Sequence, residues 1–198
     1  MALVPLTDKD LAQRVVRGDG EAFNLLVGRW EQKVFSYCLR LTGDREDAFD
    51  VCQDTFVKAY EQIGQLQNHD KFSHWLFKIA RNFCISLYRE KRNFPRQEPD
   101  AEADDGTGLE NLLSEDLQVR IDNAQRFEPA ELRLIMERAL EHLSFEQRET
   151  VVLKVFEGLK FTEIAEIANC PVSTVKSRLY LGLSELKKFL SRNERGAS

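Results

Sequence analysis

The stretch FTEIAEIANCPVSTVKSRL, residues 161–179, decides how this chain is read. Ile164 and Ile167, with Ala165 and Ala168, give a first short helix its apolar side, and the alanines permit a close crossing by a second helix. Asn169-Cys170-Pro171 breaks the first helix, because the residue before a proline is pushed out of the helical region. Ser173 is placed to cap the second. Val175, Leu179, Leu183, Leu186 and Leu190 then run on as its buried stripe. The early turns leave Thr174, Lys176, Ser177 and Arg178 outward, and Ser173 and Tyr180 complete the candidate DNA-contacting set. This is the layout of a helix-turn-helix, whose second helix offers its N-terminal residues to base edges and phosphates in a DNA major groove. From Pro171 onward there are six basic and two acidic residues, a local charge of +4.

The whole chain has the opposite balance, with 28 Lys+Arg against 33 Asp+Glu and a net charge of −5. Most of that acidity is local. Residues 95–128 hold three basic and ten acidic residues, a net of −7, which leaves +2 for everything else. Two prolines, two glycines and no sustained apolar period make this segment read as a flexible acidic linker. The parts on either side of it are mildly basic.

Residues 1–94 read as four amphipathic helices sharing one core. Thr7-Asp8-Lys9-Asp10 caps a short helix carrying Leu11, Val15 and Val16. A second bears Phe23, Leu26, Trp30, Val34, Tyr37, Cys38 and Leu41 and ends at Gly43. A third places Ala48, Val51, Cys52, Thr55, Phe56, Ala59 and Ile63 on one side. A fourth, with Trp75, Leu76, Ile79, Ala80, Phe83 and Leu87, runs to about Phe94. After the linker, Pro129 opens a helix carrying Leu132, Ile135, Met136, Ala139, Leu140 and Leu143. Ser144 and Gln147 form a capping box for a helix with Val151, Val152, Val155 and Phe156 that Gly158 ends. No segment alternates as a strand does. The expected fold is all-α, in two helical domains: a four-helix domain over 1–94 and a helix-turn-helix domain over 129–198, joined by the linker 95–128.

The fourth helix has a second basic face. At about 100° per residue, Lys78, Arg81, Asn82, Arg89 and Arg92 share roughly a third of the circumference, interrupted by Ile85. Just upstream, NHDKFSHW (residues 68–75) interleaves Phe72 and Trp75 with polar residues. Aromatic rings beside cations can stack unpaired bases, and the same two rings could equally be core.

Several function classes lack support. Cys38, Cys52, Cys84 and Cys170 are far apart among apolar residues and form no C-x-x-C pair, so buried reduced thiols are expected. His69, His74 and His142 make no metal-binding spacing, and no P-loop or G-x-S-x-G motif is present. Neither catalytic residues, a metal nor a cofactor is expected. No basic-then-apolar leader and no run of about 18 apolar residues suggests export or membrane insertion. A stand-alone helix-turn-helix regulator and a helical adaptor remain alternatives, although no heptad seam supports a dimeric regulator.

Three segments together resemble a bacterial RNA polymerase sigma factor of the extracytoplasmic-function (ECF) class. They are DAFDVCQDTFVKAY (47–60), FSHWLFKIARN (72–82) and FEGLKFTEIAEIANCPVSTVKSRLYLGLSELKKFL (156–190), and the resemblance covers nearly the whole chain. It implies a non-catalytic initiation subunit with core RNA polymerase and promoter DNA as partners. The third helix would dock on the clamp coiled coil of the largest polymerase subunit through Asp47, Phe49, Asp50, Gln53, Asp54, Phe56 and Tyr60. Phe49 stands where the family commonly has Glu. The C-terminal domain would meet the flap of the second-largest subunit. Asn68, His69, Asp70, Lys71, Phe72, Ser73, His74 and Trp75 would capture a flipped base of the −10 element. Lys78, Arg81, Asn82, Ser86, Arg89 and Arg92 would track the separating strands, and the helix-turn-helix would read the −35 duplex. An anti-sigma factor, often membrane-anchored in this class, is the expected regulator of a cytoplasmic protein that it would hold at the inner membrane. No further C-terminal domain is expected to replace that control.

Overall fold

The computed structural model describes residues 6–92 and 129–196. Among the described residues there are helices and short connections and no strand. The chain divides into two compact units, one built on the helices before residue 97 and one on the helices after it. The expected linker 95–128 and Phe94, the expected end of the fourth helix, lie outside the described residues.

The first unit starts with α1 (Asp8–Val16), whose capping box closes as expected. The Thr7 side chain accepts from the Asp10 N–H, and the Asp10 carboxylate accepts from the Thr7 N–H at 3.0 Å. Thr7 also donates its hydroxyl to that carboxylate, and its bonds hold the Asp10 carboxyl below its ordinary range. Asp19 opens α2 (Gly20–Thr42) by accepting from the Ala22 N–H at 3.1 Å. Gly43 ends it in the left-handed region at φ 74°, sending its N–H to the Leu39 carbonyl. That conformation is open to glycine at little cost and explains the sharp turn. Asp44 then caps α3 (Arg45–Gln62), accepting from the Glu46 and Asp47 N–H groups. Two 3-10 turns, Ile63–Gln65 and His69–Lys71, lead into α4 (Phe72–Arg92).

Helices α2 and α3 pack along each other, α4 packs on both, and α1 lies on α2. Leu11, Leu26, Tyr37, Leu76 and Phe77 are fully buried at their junction. Phe77 meets the Tyr37 ring edge-on at 5.1 Å and the Trp30 ring at 6.0 Å. Burying each such side chain contributes about 1.5–3 kcal/mol, which a short loop cannot match. The core therefore leaves the outer faces of α3 and α4 free to vary.

In the second unit α5 (Pro129–Glu141) leads to α6 (Phe145–Val151), capped by the expected Ser144–Gln147 box. The α6 helix does not run on to Gly158 as an ordinary helix. Val152–Phe156 forms a turn of π-helix, and the Leu159 N–H reaches back to the Leu153 carbonyl around Gly158, at φ 69°. The wider turn changes the phase of the side chains. Val151 and Val152 are buried as expected, whereas Val155 and Phe156, expected on the same face, are exposed. Leu132 lies among side chains outside the described residues.

The helices α7 (Phe161–Ala168) and α8 (Val172–Gly196) form the helix-turn-helix. Asn169 takes the left-handed conformation at φ 52°, and the Cys170 N–H bonds to the Ala165 carbonyl at 3.2 Å, ending α7 where the sequence predicts a break. The Val175 N–H reaches the Pro171 carbonyl, so α8 begins two residues early and Ser173 lies in its first turn rather than capping it.

Gly182 carries a packing requirement that periodicity did not single out. It is buried where α8 crosses α6, and a Cβ there would lie 3.0 Å from Val151 Cγ2 and 3.5 Å from the Gln147 backbone oxygen. Val151 is itself buried, and a β-branched residue in a helix has one dominant rotamer with which to yield. Gly182→Val should destabilise the chain by about 3 kcal/mol in urea denaturation. Unchanged stability would show that the crossing has slack.

Candidate nucleic-acid and polymerase interfaces

The α3 helix is amphipathic in three stripes. Its core stripe is Ala48, Val51, Thr55 and Ala59, with Thr55 Oγ1 donating to the Val51 carbonyl at 2.7 Å. Facing out are Asp50, Asp54 and Glu61 on one flank and Phe49, Gln53 and Tyr60 on the other. Phe49 and Tyr60 are 55% and 56% exposed, unusually high for such rings. The Tyr60 ring lies edge-on against Phe23 at 4.9 Å. Phe49 and Asp50 also border a depression of about 500 Å3 with Phe35, Arg45 and Glu46.

Two of the seven residues predicted for this surface need correction. Phe56 is 9% exposed and belongs to the core, because at 100° per residue it points to the inner side of the Tyr60 flank. Asp47 is half-buried, and its carboxylate is already ion-paired with Lys91 at the end of α4. Val57 was missed. It is 60% exposed between the acidic and aromatic flanks. Its signal was available, since it lies opposite the core stripe, but a valine read by type alone is assigned inward.

The second surface runs from the 68–75 loop along α4. Asn68 accepts from the Asp70 N–H at 3.0 Å, so its carbonyl oxygen already shapes the turn. Asp70 accepts from Lys9 of α1 at 2.8 Å. Phe72 is 1% exposed and is a core residue rather than a base platform. It supports Trp75, whose ring lies 6.0 Å away and is partly exposed. Ser73, His69 and His74 are also partly or fully accessible. Along α4, Lys78, Asn82 and Ser86 are exposed and Arg81 and Arg89 half-exposed on one side, while the Arg92 side chain is outside the described residues. The structure thus brings together the polar set the sequence nominates and withdraws Phe72 from it.

The third surface is the outer side of α8. Ser173, Thr174, Ser177 and Tyr180 are all exposed or partly so. The Lys176 ammonium lies 5.8 Å from the Phe161 ring centre, a ring that Lys154 also approaches, at 4.6 Å. Arg178 Nη1 donates to Cys170 Sγ at 3.6 Å, which ties this long side chain to the turn. Leu181, 52% exposed one residue past Tyr180, extends the outward side beyond the predicted set.

The cysteines are free thiols, and three of them are buried. A hydrogen bond with Cys84, and then burial, push the Cys38 thiol up out of the physiological range. Burial pushes the Cys52 thiol up to about 12. Both remain protonated at neutral pH and are poor nucleophiles. Among the described residues no group of three or more His, Cys, Asp or Glu is placed to hold a metal ion, and no helix is long and apolar enough to cross a membrane.

Known proteins share this arrangement. Residues 26–94 match the family Sigma-70 region 2, and residues 133–186 match Sigma-70, region 4, which together define the class. The ECF RNA polymerase sigma-E factor of Escherichia coli K12 is 38% identical over 88% of this chain and 90% of its own length. SigW of Bacillus subtilis, another ECF RNA polymerase sigma factor, is 33% identical over 92% of this chain and 96% of its own. The RNA polymerase sigma-H factor of Pseudomonas aeruginosa is 30% identical over 92% and 93%. Among solved structures, CnrH in complex with the cytosolic domain of CnrY has a TM-score of 0.66 at 25% identity, covering 93% of this chain and 97% of that one. The sigma factor RpoE from Bartonella quintana, in complex with the anti-sigma factor NepR, shares the fold with a TM-score of 0.60 at 21% identity over 85% and 96%. The chain belongs to the ECF family of RNA polymerase sigma factors.

Proposed function

We propose that this sigma factor docks on core RNA polymerase through the outer face of α3, takes up the melted −10 element on the 68–75 loop and α4, and reads the −35 duplex with α8. The observation that carries this reading is the set of outward faces. Each of the three helices buries one stripe and leaves a chemically distinct one outside: acids with aromatics on α3, cations with a partly exposed Trp75 on α4, and hydroxyls with cations on α8. Acidic and aromatic groups suit a basic protein partner. A stacking ring beside cations suits unpaired bases, and short polar side chains with Arg suit a major groove.

Charge explains why the chain acts with polymerase and not alone. Residues 1–94 and 129–198 each carry only about +1, and the segment between them −7. Autonomous affinity for duplex DNA comes mainly from neutralising several phosphates, which such a balance does not supply. Core polymerase provides the non-specific affinity, and this subunit provides base contacts. The −7 segment is suited electrostatically to the basic nucleic-acid paths of the enzyme. The chain adds no catalytic group of its own. An anti-sigma factor is the expected regulator, since CnrH and the Bartonella RpoE are each seen in complex with another protein, in RpoE's case an anti-sigma factor. Holding at the inner membrane would come from that partner.

The test is transcription with purified core polymerase and fragmented genomic DNA from the source organism, with transcript 5′ ends mapped. Discrete starts preceded by two spaced motifs are expected, and no promoter binding by the chain alone in physiological salt. Nanomolar binding to promoter duplex without polymerase would instead favour a stand-alone regulator.

A further inference from the structure

The family match to the first unit begins at residue 26, so it leaves out α1. Yet α1 packs against the His69–Lys71 turn as well as against α2. At that contact Lys9 Nζ donates to Asp70 Oδ2 at 2.8 Å, joining residues 61 positions apart. Asp70 is the middle residue of the turn and the only carboxylate in the 68–75 loop. The Asp70 N–H in turn donates to Asn68 Oδ1, which fixes the same residue through its backbone. We propose that Lys9 is a positioning residue for −10 recognition: it holds and neutralises the Asp70 carboxylate, so that the loop meets the melted strand without a bare negative charge. The inference rests on the reading that this loop engages the −10 element.

Two physical points support it. An exposed ion pair of this kind, with side chains 47% and 61% accessible, contributes little to stability, so a purely structural staple is a weak account of it. Next to phosphates the same carboxylate matters more, because unit charges of like sign a few ångströms apart repel by an amount comparable to a base contact. The hydrogen bond with Asp70, followed by the carboxylate's charge, raises the Lys9 pKa, so the ammonium stays charged across the physiological range. Sequence patterning had given Lys9 only a place in the α1 cap.

The experiment is a double-mutant cycle in holoenzyme, at a promoter recovered by start mapping with the unsubstituted chain. Permanganate reactivity of thymines in the melted region reports strand opening, and core-polymerase affinity is measured in parallel. Lys9→Ala should lower the open fraction about fivefold to tenfold at unchanged core affinity and melting temperature. In the Asp70→Asn background the same Lys9→Ala change should alter opening by less than about twofold, because the group that Lys9 neutralises is gone. Equal losses in both backgrounds, or in neither, overturn the inference, as does a loss of core affinity. Absence of any thymine reactivity with the unsubstituted chain overturns the −10 reading itself, and this inference with it.

Discussion

Val57→Arg should weaken binding to core RNA polymerase by about tenfold to a hundredfold while leaving the chain as stable as before. The position is 60% exposed, so folding does not depend on its apolar contacts. An Arg there sits within one turn of Asp54 and Glu61, and intrahelical pairs at such spacing are mildly stabilising. Docking loses on three counts. The apolar centre between Tyr60 and the acids disappears, the acids are neutralised from within, and a basic partner meets a cation. Interface energy is concentrated in a few central residues, which is why one substitution can have this effect. Gln53→Ala and Asp54→Ala should act in the same direction and more weakly. Competition binding against the unsubstituted chain measures all three. A Val57→Arg chain that binds core polymerase normally would move the docking surface off α3.

Arg178→Ala should lower transcription from promoters that depend on the −35 element by about tenfold to a hundredfold, with core affinity intact. A guanidinium that makes a bidentate contact to a base edge discriminates by about 1–3 kcal/mol, which corresponds to that range. Arg178→Lys separates the two roles open to it. It keeps the charge and loses the planar fork, so most of the defect should remain if the contact is to a base and little of it if the contact is to a phosphate. The bond from Arg178 to Cys170 Sγ is long and half-exposed, so its removal should leave the helix-turn-helix folded. Loss of core binding with normal −35 dependence would reverse the roles assigned to α8 and α3.

The corrections at Phe56 and Phe72 share one cause. Phe56 and Tyr60 lie four residues apart on α3, and Phe72 and Trp75 three apart at the start of α4, so each pair shares a helix face to within a few tens of degrees. A 100° period locates the centre of an apolar stripe well and its edges poorly. Residues at the edge are sorted by the neighbouring helix, and a single helix does not contain that information. The π turn at Val152–Phe156 produced the same kind of error in the other unit, since one extra residue per turn moves Val155 and Phe156 outward without any change in composition.

The sequence by itself determined the helices, most of their caps, the break at Asn169, the two sides of the acidic segment and the family, because each of these rests on residues close together in the chain. Capping boxes span three residues and helical stripes span a dozen, and local steric and hydrogen-bonding rules read both. Only the tertiary structure decided that Lys9 meets Asp70, that Lys91 meets Asp47, and that Gly182 must stay bare for α8 to cross α6. Those contacts join residues 31 to 61 positions apart, in elements with no pattern in common. They exist because buried apolar faces bring the helices together, and the polar groups at the rims then find whichever partners that packing supplies.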